Sequence, residues 1–291
     1  MLGSELDVFV VGAGRAGLVM TRALLRTRHR ILGTWNRTAE AAAGVRKHTG
    51  APAFHGRIPQ VARSANLILV AVRDDLLSEM DARLARDGVV GPNMVVAHLA
   101  GALDSTVLRA CKEAGAAVGS MHPVASFSEE SQLPVGTHFA VEGEPAAVEM
   151  LRQLVDDLGG TPLTVDPGQK PRYHSALVFA SNYLVALASI AQHILERSGI
   201  REEDARAMLG PLLEGTARNI RREGATDALT GPVTRGDVET VRSHLKALSD
   251  EPDLENLYRA LGVRAVAVAE RQGLDPAAAE ALLKLLKSPR R

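Results

Sequence analysis

Cysteine is all but missing from this chain of 291 residues. Cys111 stands alone, which excludes an intrachain disulfide and a cysteine-based zinc cluster, and it reads as a small buried apolar residue. Neither sign of charge is in excess. Lys plus Arg and Asp plus Glu both number 34, so no basic surplus exists to neutralise a nucleic-acid backbone, and no nucleic-acid partner is expected. The histidines show no paired ligand spacing such as H-E-x-x-H, and no metal is expected. Met1 to Asp7 lacks the charged segment and apolar stretch of a secretory signal. No run of about 18 or more apolar residues suggests a membrane span, so no membrane partner is expected. These absences fit a protein of the reducing cytoplasm.

What is present is an ordinary globular composition, 46% hydrophobic and 23% charged, with enough apolar material for a core. The length allows one large or two ordinary domains. The chain is organised around Leu6-Asp7-Val8-Phe9-Val10-Val11, a buried parallel strand, and Gly12-Ala13-Gly14-Arg15-Ala16-Gly17, which follows at once. Leu18 to Leu25 reads as the helix beyond. In this G-x-G-x-x-G spacing Gly12 permits the tight turn, Gly14 lets the backbone approach a pyrophosphate, and Gly17 lets helix and strand pack closely. The unpaired N–H groups of the helix then face the phosphates. Alone the glycine spacing also fits a structural βα turn; the strand before it and the helix after it favour a dinucleotide site.

Arg30 to Trp35 reads as the second strand, ending in Asn36-Arg37-Thr38. An NAD site places an Asp or Glu about 20 residues past the glycines, on the ribose 2′-hydroxyl. Asn36 stands there uncharged, and Arg37 suits a 2′-phosphate, so NADP(H) is expected as cofactor. The other reading makes Arg37 a solvated turn residue. Leu67 to Val72 is a further buried strand closing on Arg73-Asp74-Asp75, with a helix over Leu76–Arg86. Asn93–Gly101 and Ala116–Met121 read as strands, with 137–142 and 161–165 completing the sheet around a helix from Pro145 to Leu158. Such alternation implies a doubly wound parallel sheet with ligands beyond the carboxyl ends of its strands. That places Val72, Arg73, Ala100, Gly101 and His122 beside the cofactor. His98 and His122 also suit hydrogen-bonded structural histidines.

The turn cluster Asp166-Pro167-Gly168 sets the expected domain boundary, with residues 1–166 as the nucleotide-binding domain and 167–291 as an all-helical domain. One helix is expected from Pro171 to Arg197, apolar almost all round between Ala176 and Ile194. A helix over 202–209 should break at Gly210-Pro211 before another over 212–223. Three more follow over 238–248, 252–272 and 276–286, with Asp237 as a cap and a frayed tail, 287–291. Lys170 and His174 sit four apart and share a helix face, Ser181 lies nearly in line, and Asn182 is a quarter-turn round. Either Lys170 or His174 could donate a proton, with Asn182 or Ser126 orienting a substrate. The plainer reading leaves Lys170 a solvated helix-start residue and His174 a structural one. For Arg235, Asp237 and His244 a capped turn and a site role remain equally open.

This order of elements resembles the 6-phosphogluconate dehydrogenase-like superfamily, with its β-hydroxyacid dehydrogenases, ketopantoate reductases and pyrroline-5-carboxylate reductases. More closely, the chain resembles the family that joins a Rossmann-like domain to DUF2520. The residues that carry the likeness are Gly12 to Gly17, Met121 to Phe127, Lys170 to Asn182, and Leu229 to Asp237 with His244-Leu245. The resemblance implies a Rossmann-type α/β fold followed by a 6-phosphogluconate dehydrogenase C-terminal-like helical domain, and a homodimer. It further implies an NADP-linked oxidoreductase acting on a small molecule, a 2-keto acid such as ketopantoate. A pyrroline-5-carboxylate or imine reductase, or a non-catalytic NADP(H)-binding sensor or assembly module, are the alternatives. The chain departs from the β-hydroxyacid dehydrogenases, which carry Asp-Ala-Pro-Val-Ser-Gly-Gly where His122 to Phe127 stand here, and Asn where His174 stands. Their substrates therefore do not carry over.

Overall fold

The computed structural model describes residues 5–128 and 130–288; the tail from 289 onward lies outside them. Its contacts cluster in two units, 1–183 and 184–291. The first runs β1 (Asp7–Val11), α1 (Arg15–Leu24), β2 (Arg30–Asn36), α2 (Ala39–Thr49), β3 (Ala53–His55), β4 (Leu67–Val70), α3 (Leu77–Arg86), β5 (Val95–His98), α4 (Arg109–Glu113), β6 (Ala117–Pro123), β7 (His138–Gly143), α5 (Pro145–Asp157), β8 (Thr161–Thr164) and α6 (Lys170–Ala180). The strands form one sheet in the order β3-β2-β1-β4-β5-β6-β7-β8. It is the expected doubly wound Rossmann-type sheet, and its order reverses between β1 and β4, where such sheets open a crevice.

β1 shows why the centre is parallel. Phe9 and Val11 join the apolar cluster on one face, with Trp35, Ile68 and Val96; Val8 and Val10 join the other, with Met20, Leu69 and Phe139. Strands buried on both faces need covering helices, and the βα crossovers supply them. β7 departs from the all-parallel expectation. It runs antiparallel to β6, pairing Met121 with Val141. The described residues between 124 and 137 hold no helix to carry the chain back across the sheet, and β7 returns antiparallel. The short β3 was legible only as part of a connection.

The second unit is helical: most of α7 (Asn182–Arg197), then α8 (Glu202–Asp227), α9 (Val238–Ala247), α10 (Pro252–Arg271) and α11 (Pro276–Lys287). Val241, Leu245, Val266, Leu282 and Leu286 form its buried core. Asp237 caps α9 as expected, accepting from Thr240 N at 3.0 Å.

Two helix boundaries differ from the sequence reading. The single helix expected from Pro171 is broken at Ser181, whose backbone (φ −122°, ψ −72°) is not helical. Ser181 and Asn182 are adjacent residues of the kind that bond nearby backbone outside a helix. The break expected at Gly210-Pro211 is absent, and α8 runs through Pro211. Gly210 has no Cβ to meet the proline ring, which relieves one of the contacts that disfavour a helix before proline. The interruption falls instead at Gly224 (φ 86°, ψ 161°).

Candidate functional site

The glycine turn is built as its spacing requires. Gly12 takes φ +90°, and a Cβ there would lie 2.8 Å from Val72 Cγ1. A Cβ on Gly17 would lie 2.2 Å from Gly12 O, so only glycine brings α1 onto the turn. Gly14 faces open space, exposed, and caps α1 with no side-chain hydrogen bond. The first N–H groups of α1 are left for an outside anion. An open approach at Gly14 above a turn that glycine alone can form fits a pyrophosphate.

The end of β2 divides its tasks. Asn36 is buried, and its Oδ1 accepts from Ala13 N at 3.1 Å, so it ties β2 to the glycine turn. Arg37 is exposed beside it. Thr38 caps α2, accepting from Ala41 N. No carboxylate occupies these positions. At the end of β4, Val72 supports the turn, while exposed Arg73 makes a two-pronged pair with Asp75 at 2.9 and 2.5 Å.

A second group gathers at the carboxyl ends of β5 and β6. A Cβ on Gly101 would lie 2.5 Å from His174 Cδ2 and 2.8 Å from His122 Nε2, so both rings rest on bare backbone. His122 Nδ1 and Tyr173 OH are hydrogen-bonded at 2.9 Å, and the His122 and His174 rings meet edge-on at 6.0 Å. Burial holds His122 down to about 4, with Lys170 and His174 adding to the effect, so the ring is neutral near pH 7. Burial raises the Tyr173 phenol to about 12, which keeps its proton on.

Lys170 does not stand in the open beside His174. It is fully buried, and Nζ donates to Ala100 O at 3.0 Å and to Ser120 Oγ. It lies 3.6 Å from Glu142, whose carboxylate also accepts from Ser105 N at 2.9 Å and Ser105 Oγ at 2.8 Å. Burial lowers the Lys170 ammonium from its ordinary value, and the Glu142 charge opposes that shift. His98 is also buried: Nδ1 accepts from Ala100 N at 3.1 Å, and Nε2 lies 3.1 Å from Asp104 O. Desolvation, then the Lys170 charge, holds His98 at about 4. It is a loop brace.

Ser126 is exposed on the segment after β6, and Asn182 is exposed beyond the break at Ser181. The row expected along one helix therefore stops before Asn182. Sequence reasoning missed Tyr173, Ser120 and Glu142. Tyr173 sits three residues after Lys170, on the same helix face, and Glu142 is an acid inside an otherwise apolar strand; both patterns were available. In the second unit, His244 Nδ1 meets Tyr258 OH at 2.8 Å, and Arg235 is exposed on the turn before α9. Among the described residues, no three His, Cys, Asp or Glu side chains gather as metal ligands.

The architecture defines a dinucleotide-type sheet with an open glycine turn and a histidine–tyrosine cluster on the same edge. Residues 2–123 match the Rossmann-like domain, and residues 137–265 match a domain of unknown function, DUF2520. The chain thus carries a Rossmann-like domain followed by a DUF2520 domain. No curated protein matches it significantly. Among solved structures it is similar to a candidate NADP oxidoreductase from Bacteroides fragilis, at 23% identity and TM-score 0.73, covering 92% of this chain and 99% of that one. It is also similar to a reductive aminase from Aspergillus terreus in complex with NADPH4, cyclohexanone and allyl amine (19% identity, TM-score 0.59, covering 98% and 93%). A third is a pyrroline carboxylate reductase from Plasmodium falciparum with NADP bound (11% identity, TM-score 0.61, covering 97% and 98%). At these identities the likeness is one of fold.

Proposed function

We propose that this protein is an NADP(H)-dependent oxidoreductase that reduces a small C=O or C=N compound to the alcohol or amine. One observation carries the reading. The open glycine turn, with Arg37 in place of an acid, shares the carboxyl edge of the sheet with His122, Tyr173 and His174. Bound at the turn, NADPH would supply the hydride. Gly12 to Gly17 hold the pyrophosphate, Asn36 fixes the turn, and Arg37 pairs with the 2′-phosphate. His174 donates the proton to the substrate heteroatom, and the hydrogen-bonded His122 and Tyr173 keep its ring in place. The similar structures support this class, since they include a candidate NADP oxidoreductase, a reductive aminase and a pyrroline carboxylate reductase.

Within the class we favour C=N substrates over 2-keto acids such as ketopantoate. A keto acid needs a free cation for its carboxylate. Around the cluster Lys170 is paired with Glu142, Arg73 is paired with Asp75, and His122 is held neutral. The test is a panel of cyclic imines, amine–ketone mixtures and 2-keto acids including ketopantoate, followed by loss of NADPH absorbance. Turnover of an imine supports the reading, turnover of ketopantoate alone would move the substrate to the keto acids, and no turnover leaves a cofactor-binding sensor.

We further propose a cytoplasmic homodimer built on the helical unit. Val185, Met208 and Leu212 of that unit are 69%, 55% and 64% exposed, large apolar side chains that a partner chain would cover. By length and composition alone, Pro167–Arg197, which holds Val185, would also suit a membrane span, with a mean hydropathy of 1.4. Light scattering at micromolar concentration should give twice the chain mass. A monomer that floats with liposomes would assign the surface to a membrane instead.

A further inference from the structure

Lys170 is a helix-start lysine whose ammonium is withdrawn from solvent altogether. A buried charge is tolerated only when it is paired and hydrogen-bonded, and here each partner belongs to a different segment. Ala100 O lies on the loop after β5, one residue before Gly101. Ser120 is on β6 two residues before His122, so both side chains leave the same face of the strand. Glu142 is on β7, and it holds Ser105 at the far end of the β5 loop through two hydrogen bonds. Lys170 itself opens α6, three and four residues before Tyr173 and His174, on the same helix face. Every segment that brings a group to the histidine–tyrosine cluster therefore meets at one nitrogen atom. His98 braces the same loop between Ala100 N and Asp104 O, so the loop is held at its start, middle and end.

We propose that Lys170 is a positioning residue: with Glu142 it forms a buried clamp that sets Gly101, His122 and the Tyr173–His174 turn in mutual register. The proposal rests on the reading of that cluster as the reaction site. It assigns Lys170 no contact with substrate. It also explains why Gly101 meets two rings at once, because a loop free to shift by one ångström would lose both contacts.

The experiment uses the full chain carrying Lys170→Met and Glu142→Gln together, so that neither buried charge is left unpaired. Amide hydrogen exchange should accelerate about tenfold or more over residues 99–105 and 170–174, and stay within about twofold in β1 and β4. The ¹⁵N signal of His122 Nδ1 should lose the mark of its Tyr173 hydrogen bond. With a substrate that the unmodified protein reduces, kcat should fall roughly 10²-fold, while the Kd for NADPH changes less than about threefold. Unchanged exchange over 99–105, or acceleration spread evenly through the sheet, would overturn the clamp, since the second is what a merely structural pair produces. If the double variant does not fold, Ser120→Ala removes one strand of the clamp and should speed exchange in the same segments by about threefold. If the unmodified protein reduces nothing, the reductase reading fails by itself, and the exchange and ¹⁵N results still decide the clamp.

Discussion

In the first unit β4 and β5 are buried at every residue; in the second, α7 has no buried residue and α8 only Ala205. The sheet is covered by its own helices, and Lys170, Glu142, His98 and Asn36 in its interior are all hydrogen-bonded. The helical unit has one closed core, around Val241 and Leu282, and long apolar faces beyond it. The difference teaches where to look for chemistry and where to look for partners. A unit whose charges are compensated inside can hold a few groups to a fixed geometry, whereas helices with uncovered faces are surfaces for something else.

The largest expected effect tests the fixed geometry. His174→Gln should lower kcat by roughly 10²–10⁴-fold and leave NADPH affinity within about twofold, as removal of a proton donor does. Near-normal turnover would return the cluster to a packing role. The next breaks the contrast in burial. Leu69→Ala in β4 should cost about 2–5 kcal/mol in urea unfolding. Leu212→Ala on α8 should change the stability of the isolated chain by less than about 0.5 kcal/mol, yet raise the dimer dissociation constant roughly tenfold. Equal costs at both positions would erase the contrast.

Much of the first unit was legible because its signals are local. A strand buried on both faces reads as an apolar run, and a tight turn reads as glycines at set spacing. The absence of an acid at Asn36-Arg37-Thr38 was legible because a missing residue type is itself a signal. Lys170 was not legible as a buried residue. Its spacing to His174 put both on one helix face, but burial depends on Ala100, Ser120 and Glu142, which are brought in by three other strands or loops. Ser181 and Pro211 show the same limit. Propensity marks a possible break, and the backbone around it, such as the missing Cβ of Gly210, decides whether the helix yields.

A third test reads the interior by pH. Burial holds His98 and His122 at about 4 in the folded chain, below the ordinary 6.5. Above pH 6.5 both are neutral in either state and their burial carries no penalty. As pH falls from 6.5 towards 4, the unfolded chain takes up protons that the folded one refuses, so stability is lost. The loss is on the order of 3 kcal/mol per histidine. Urea midpoints should fall through that window, less steeply in His98→Gln, and a flat profile would mean the rings are solvated. The smallest effect sharpens the second unit. Asp237→Ala should cost about 1 kcal/mol, the worth of the cap on α9, with turnover unchanged. A loss of turnover would instead bring the Arg235–Asp237 turn into the reaction.

The function turns on what the glycine turn holds. Titration of NADPH and NADH against the full chain, followed by fluorescence, addresses this directly. NADPH should bind more tightly than NADH, and Arg37→Ala should weaken NADPH by about 1.5–3 kcal/mol while leaving NADH nearly unchanged. Equal affinity for the two cofactors, or no binding of either, would contradict it.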